Sequence, residues 1–406
     1  MRALALTDCA LADVDQHGHL RYVPDGVVYV DGGRIVFAGP RAEAPRPPGT
    51  YRAIVLDGRL VTPSLVDCHT HLIYAGNRLG DFLAQRDGHD ERFQFGGILE
   101  TVEATTRASA DVLEALARRR LDEMADHGVG AVEVKSGYGL SLDGERRILE
   151  IARGLSGYRG VEVVTTFLGA HALPREYAGR PGAYIKLLTD TVMPVLASEG
   201  LIDMVDCFID PQGFSSEVIA PYLARAKELG LPVRAHVDQF GPAQGAELAI
   251  DYGARSIDHL EYLSATALAR AQGAGTIAVL LPFAYLHKSL PAMPPVEGLR
   301  THRISMAVAT DLNPGTSPTA SLLLAAYLSI TLYGLRPAEA FGGITRRAAE
   351  SLGLVDRGSL DVGNRADLAI WEVDHPYELV STVFDRHSDR LSQMVERVDG
   401  AQASLT

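Results

Sequence analysis

Between residues 26 and 36, valines and an isoleucine cluster on both sides of Asp31-Gly32-Gly33, a pattern that predicts two strands joined by a tight turn. Pro45-Arg46-Pro47-Pro48-Gly49 then reads as a loop, and a further strand is expected over residues 52–56. Beyond Leu60 the rhythm changes to short apolar runs alternating with longer amphipathic stretches, the signature of repeated βα units on a parallel sheet. Eight such runs occur, near residues 65–67, 130–135, 161–168, 204–209, 233–236, 256–258, 276–281 and 306–310. Helical patterns fill the gaps. Over 111–127, for example, Val112, Leu113, Leu116, Leu121 and Met124 make an apolar stripe that Gly128 brings to a stop. Eight units predict an α/β protein built on a closed (β/α)8 TIM barrel.

After the barrel pattern, residues 358–371 read as a turn, a strand start, a second turn at Gly363 and a buried strand ending at Trp371. Isolated strand pairs are marginal in water, so these strands are expected to join the N-terminal ones in a small composite β-sandwich domain. The expected division is residues 1–60 and 355–406 for the small domain and 61–354 for the barrel.

Composition narrows the function classes. The 406 residues are 47% hydrophobic and 22% charged, enough apolar material for a large core. With 38 basic against 51 acidic residues the net charge is −13, so the basic surplus that nucleic acid or an anionic membrane would demand is missing. A small-molecule substrate is the expected partner. The three cysteines, Cys9, Cys68 and Cys207, form no CxxC pair and fit a reducing, cytoplasmic setting. No apolar run is long enough to span a membrane, and the N-terminus does not read as a signal peptide.

The candidate chemistry sits at strand ends. In Val66-Asp67-Cys68-His69-Thr70-His71, alternation along a strand sends His69 and His71 to one face, two imidazoles suited to Zn²⁺ or Fe²⁺. The pair alone is a weak signal, because His17-Gly18-His19 is another, in a polar turn that reads as surface. Three later apolar runs also end in ligand-type residues: His236, His259 and Asp311. Strand ends on one rim of a barrel converge in space, and a carboxylate following an apolar strand is a poor core residue unless it binds something.

Five segments carry a resemblance: Asp67-Cys68-His69-Thr70-His71 with Ala75-Gly76-Asn77-Arg78; Glu133-Val134-Lys135-Ser136-Gly137-Tyr138-Gly139-Leu140; Thr166-Phe167-Leu168-Gly169-Ala170-His171-Ala172; Asp258-His259-Leu260-Glu261-Tyr262; and Ala309-Thr310-Asp311-Leu312-Asn313-Pro314-Gly315-Thr316. Together they resemble the amidohydrolase superfamily and, within it, the imidazolonepropionase family. The resemblance implies one divalent or trivalent metal ion, Zn or Fe, held by His69, His71, His236 and Asp311. Binuclear members carry a lysine at the end of the fourth strand, where this chain has Cys207-Phe208-Ile209-Asp210, so a single ion is expected. It further implies catalytic roles for Asp311, His259 and His236, and a substrate pocket of Arg78, Tyr138, His171, Gln239, Asn313, Gly315 and Thr316. Arg78 offers a planar fork matched to a carboxylate. The implied reaction is hydrolytic opening of the C–N bond of 4-imidazolone-5-propionate, the alternative being a related cyclic amidohydrolase or deaminase acting on another heterocycle. A homodimer is implied as well. The chain departs from the family at residues 88–98, which lack a carboxylate-binding tyrosine; Arg92 or His89 is the expected substitute.

Overall fold

The computed structural model describes residues 3–46, 49, 51–87, 97–382 and 388–391. Fifteen strands among them divide into two sheets. The smaller contains β1 (Leu4–Val14), β2 (Leu20–Asp31), β3 (Arg34–Pro40), β4 (Arg52–Val55), β5 (Leu60–Pro63), and, from the far end of the chain, β14 (Leu368–Trp371) and β15 (Asp389–Arg390). The expected turn joins β2 to β3. The strand that organises the sheet, β1, is one the alternation pattern passes over. Its second half is buried on both faces, so polar and apolar positions do not alternate there. Asp8 takes a φ of 55° and the β1–β2 register slips between Leu6 and Cys9, a bulge that divides β1 into two halves. The first half pairs with β4 and the second with β5. The result is one sheet curled around Leu4, Leu6, Leu11, Val28, Val30, Ile35 and Ile370.

The N- and C-terminal segments meet where β14 runs antiparallel to β5, from Leu368 opposite Pro63 to Trp371 opposite Leu60. Because β5 extends to Pro63, the passage into the barrel falls at Ser64, whose hydroxyl donates to Asp367 at 2.9 Å.

The larger sheet is the barrel: β6 (Leu65–Asp67), β7 (Val129–Lys135), β8 (Glu162–Ala170), β9 (Met204–Ile209), β10 (Arg234–Val237), β11 (Ser256–His259), β12 (Ile277–Leu280) and β13 (Met306–Val308), each parallel to the next. Every one of the eight apolar runs became a strand. The seam between β13 and β6 is closed just past the strands themselves. Thr70 bridges to Leu312, Asp311 N–H donates to the His69 carbonyl at 3.0 Å, and Thr310 Oγ1 donates to the Asp67 carboxylate at 2.6 Å. Metal-candidate residues therefore lie in the closure of the barrel itself. The helix expected over 111–127 runs Ala110–Asp126, with Ser109 capping its N-terminus. No helix among the described residues is long and apolar enough to cross a membrane.

Trp371 locks the two units together. It is 1% exposed, packs into the barrel core and donates its indole N–H to Thr62 Oγ1 at 2.9 Å. Gly128, at φ 85°, leaves the space its ring occupies. Trp371→Ala is expected to cost about 3–5 kcal/mol, read as a lower midpoint in denaturant-induced unfolding.

Candidate active site

The strand-end residues converge. His69 and His71 follow β6, His236 lies in β10, His259 ends β11 and Asp311 follows β13, and all five are nearly or fully buried. Asp311 Oδ1 lies 3.5 Å from His69 Nε2 and 3.5 Å from His71 Nε2, and His71 Nε2 lies 3.4 Å from His236 Nε2. An ion with four bonds of about 2.0–2.1 Å in tetrahedral array separates its donor atoms by about 3.4 Å. His69 Nε2 has no hydrogen-bond partner although it is fully enclosed, so the donor set has a lone pair aimed at a common centre. The residues fit a metal ion. His259 approaches from the other side, its donor grouped with those of His69 and His236.

Carboxylates behind the rings fix their tautomers. His69 Nδ1 is 2.6 Å from Asp258 Oδ2 and His236 Nδ1 is 3.0 Å from Asp206 Oδ1, which leaves each Nε2 free to serve as ligand. These carboxylates belong to a charged layer inside the barrel. Lys135 Nζ contacts Asp206 at 2.6 Å and Glu133 at 2.8 Å, and Arg234 contacts Asp258 at 3.0 Å and Glu133 at 3.3 Å. All five side chains are 0% exposed. Strand alternation could have located the layer, since Glu133 and Lys135 are two apart on β7 and share the inward face.

Burial pushes His71 down to about 4 and His236 down as well, so both rings are neutral at pH 7, the form a metal needs. Burial and Lys135 act to lower His69, but Asp258 and Asp311 outweigh them and carry it upward. Burial acts to raise Asp311, yet the His69 and His71 rings hold its carboxyl well below the usual range. His259 is driven well down by burial and stays neutral.

Above this set opens a cavity of about 410 Å³. Arg78, Tyr138, His171, Gln239, Asn313, Gly315 and Thr316 all line it, as do His71, His236, His259 and Asp311. His171 stacks on His71 with ring centroids 4.9 Å apart and planes 16° from parallel. The loop carrying Tyr138 is held by a residue that motif reading overlooks, the buried Glu145, which accepts the N–H groups of Gly137, Gly139 and Leu140 at 2.7–2.9 Å. Gly137 has a φ of 106° and a Cβ there would meet the Leu168 carbonyl at 2.8 Å, so only glycine fits.

Asn313 lines the cavity and also organises the turn it sits in. Its amide donates to the Asp311 carbonyl and Thr316 Oγ1 and accepts from Gly315 and Thr316 N–H, which exhausts its hydrogen-bonding capacity. It holds the turn and presents Thr316 Oγ1 to Asp311 Oδ2 at 3.1 Å. Gly315 makes room for Arg78, whose Nη1 would lie 2.9 Å from a Cβ at that position. Phe208, Gln212, Phe240 and Lys288 also line the cavity and were not singled out by any motif. Arg92 and His89 lie outside the described residues.

The model of the amidohydrolase family matches residues 88–397. An imidazolonepropionase from Cereibacter sphaeroides is 47% identical over 360 residues, covering 88% of this chain and 91% of that one, and another from Caulobacter vibrioides is 47% identical over 368 residues, covering 89% and 91%. The chain belongs to the imidazolonepropionase family of amidohydrolases. Like other members it is a hydrolase acting on C–N bonds. Solved structures agree on the fold: a triazine hydrolase variant aligns with a TM-score of 0.75 at 16% identity over 96% of this chain and 93% of its own, and an adenosine deaminase from Xanthomonas campestris with bound zinc with 0.65 at 18% over 93% and 88%.

Asp258→Asn is expected to weaken metal retention by about 10–100-fold, measured by competition with a chelator, because the carboxylate fixes the His69 tautomer. Gly315→Ala should raise KM by displacing Arg78, and in Arg78→Ala the same change should have little further effect.

Proposed function

We propose that this chain hydrolyses 4-imidazolone-5-propionate to N-formimidoyl-L-glutamate, using one zinc or iron ion held by His69, His71, His236 and Asp311. The observation that carries the reading is the run of donor atoms at 3.4–3.5 Å, Asp311 to His69, Asp311 to His71 and His71 to His236, with the buried Nε2 of His69 left without a partner. The family relationship supports the substrate. A bound ion would supply Lewis acidity, bringing the pKa of water from 15.7 down to about 7 and polarising the ring carbonyl.

The chain's own groups do the rest. Asp311, ionised and oriented by Thr316, accepts a proton from the attacking water as the new C–O bond forms. His259, neutral, donates an N–H to the carbonyl oxygen as negative charge grows on it. As the C–N bond breaks, the proton held by Asp311 passes to the departing ring nitrogen, leaving a formimidoyl group and a carboxylic acid that gives up the second water proton to solvent as it ionises. Tyr138, kept protonated by burial, offers a hydroxyl donor to the substrate. His171 stacks against His71 and walls the cavity. Arg78 receives the propionate. A cytoplasmic setting is supported by the three cysteines, all free and buried.

Zinc-loaded or iron-loaded protein given substrate generated from urocanate is expected to yield formimidoyl-glutamate. No product above the uncatalysed rate would overturn the proposal, and ammonia release would assign an aminohydrolase instead. His236→Ala should abolish turnover and lower metal content. Arg78→Ala should keep its metal and raise KM, by about tenfold or more, because it removes a charged anchor.

A further inference from the structure

Among the described residues two side chains of permanent positive charge line the cavity, Arg78 and Lys288. Arg78 is already engaged, its guanidinium paired with Asp81 one turn further on. That pair is formally neutral, so Arg78 holds an anion less strongly than an unpaired guanidinium would. The ammonium of Lys288 forms no ion pair with any described residue. Burial is the first cause that lowers its pKa and repulsion from Arg78 the second, and attraction from Asp81 does not offset them. Arg78, Lys288 and nearby Arg86 outweigh Asp81, so this side of the cavity carries the positive surplus that an anionic group requires.

The placement of Lys288 is also fixed. It ends the helix Pro282–Lys288, and its carbonyl accepts from Gln85 Nε2 at 2.6 Å. Arg86 reaches the His287 carbonyl at 3.0 Å and Ser289 Oγ at 3.2 Å, while the Phe82 and His287 rings lie 5.3 Å apart. All three of those partners, and Asp81, belong to the helix Leu79–Asp87, which begins at the residue after Arg78. One helix thus sets the positions of both cations.

We propose that Lys288 is a specificity-determining residue, the second arm of the receptor for the substrate's side-chain carboxylate, pairing with that group while Arg78 takes it through its fork. The proposal rests on the imidazolone propionate reading. It goes beyond it by assigning the charge discrimination to a residue that none of the recognised motifs contains. A neutral side chain in place of the carboxylate leaves Lys288 desolvated and unpaired, so the cavity selects against it.

The test compares Lys288→Met and Lys288→Arg with the unaltered enzyme on 4-imidazolone-5-propionate and on the corresponding propionamide. Lys288→Met is expected to raise KM for the propionate by about tenfold or more with kcat within about twofold, to raise kcat/KM for the propionamide, and to be reversed largely by Lys288→Arg. An unchanged KM for the propionate, or an equal loss on both substrates, would overturn the proposal. Binding of 3-(imidazol-4-yl)propionate and its amide to the zinc-loaded proteins, measured by calorimetry, separates this inference from the reaction itself. If the unaltered protein fails to turn over the substrate yet prefers the carboxylate, and Lys288→Met loses that preference, the receptor stands and the reaction reading falls. If turnover is normal and Lys288→Met keeps the preference, the receptor falls.

Discussion

The structure is organised around a layer of charge that water does not reach. Glu133, Asp206, Asp258 and Asp311 stand against Lys135 and Arg234, four negative charges to two positive, in the interior of a barrel that would otherwise be filled with apolar side chains. Removing one partner from such a layer leaves a buried charge uncompensated, at a cost of about 3–5 kcal/mol. A divalent cation bound by the histidines and Asp311 would offset that negative excess. The same carboxylates that need this compensation hold the Nδ1 atoms of His69 and His236, so charge balance and ligand orientation are met by one set of contacts. Lys135 shows how committed the layer is. Its amine is spent on Glu133 and Asp206 beneath the histidines, which is why it cannot serve as a bridging ligand above them.

The rim above the layer is built under strain. Asp238, His259, Leu260 and Asp311 all have positive φ, at 50°, 82°, 79° and 55°, just where β10, β11 and β13 give way to loops. Each such residue costs about 1–3 kcal/mol and persists only when its surroundings over-determine it. Here the surroundings do. Asp311 is fixed by its N–H to the His69 carbonyl and by Thr316, and Asp238 accepts three backbone N–H groups from residues 243–246. Strain of this kind turns side chains that would otherwise follow the strand direction back toward a common centre.

Much of this was legible in the sequence. The eight apolar runs located the eight barrel strands, and the strand ends carrying His69, His71, His236, His259 and Asp311 are brought together as expected, because period-two alternation and barrel closure are both rules of backbone geometry. The organising strand β1 was illegible for the opposite reason: buried on both faces at its second half, it has no alternation to read. Asp206, Arg234 and Lys288 were missed because each acts through partners distant in the chain, which no local spacing encodes, and Glu145 because its partners, though near in sequence, are backbone N–H groups that carry no side-chain signature. Asn313 was placed correctly at the cavity, but only the atoms show that its amide is consumed by the turn.

Net charge and site charge have to be separated to understand recognition. A protein at −13 repels an anion at long range, and at physiological ionic strength that repulsion fades within a Debye length of about 8 Å. What the substrate meets inside the cavity is a different field. At one wall Arg78, Lys288 and nearby Arg86 outweigh Asp81, and at the floor the metal candidates stand over carboxylates that Lys135 and Arg234 balance only in part. Overall acidity therefore sets how slowly an anion arrives but not how firmly it is held. Affinity depends on a few cations whose own partners leave them in surplus, so the cavity rejects a neutral side chain through a lysine that is left without a partner.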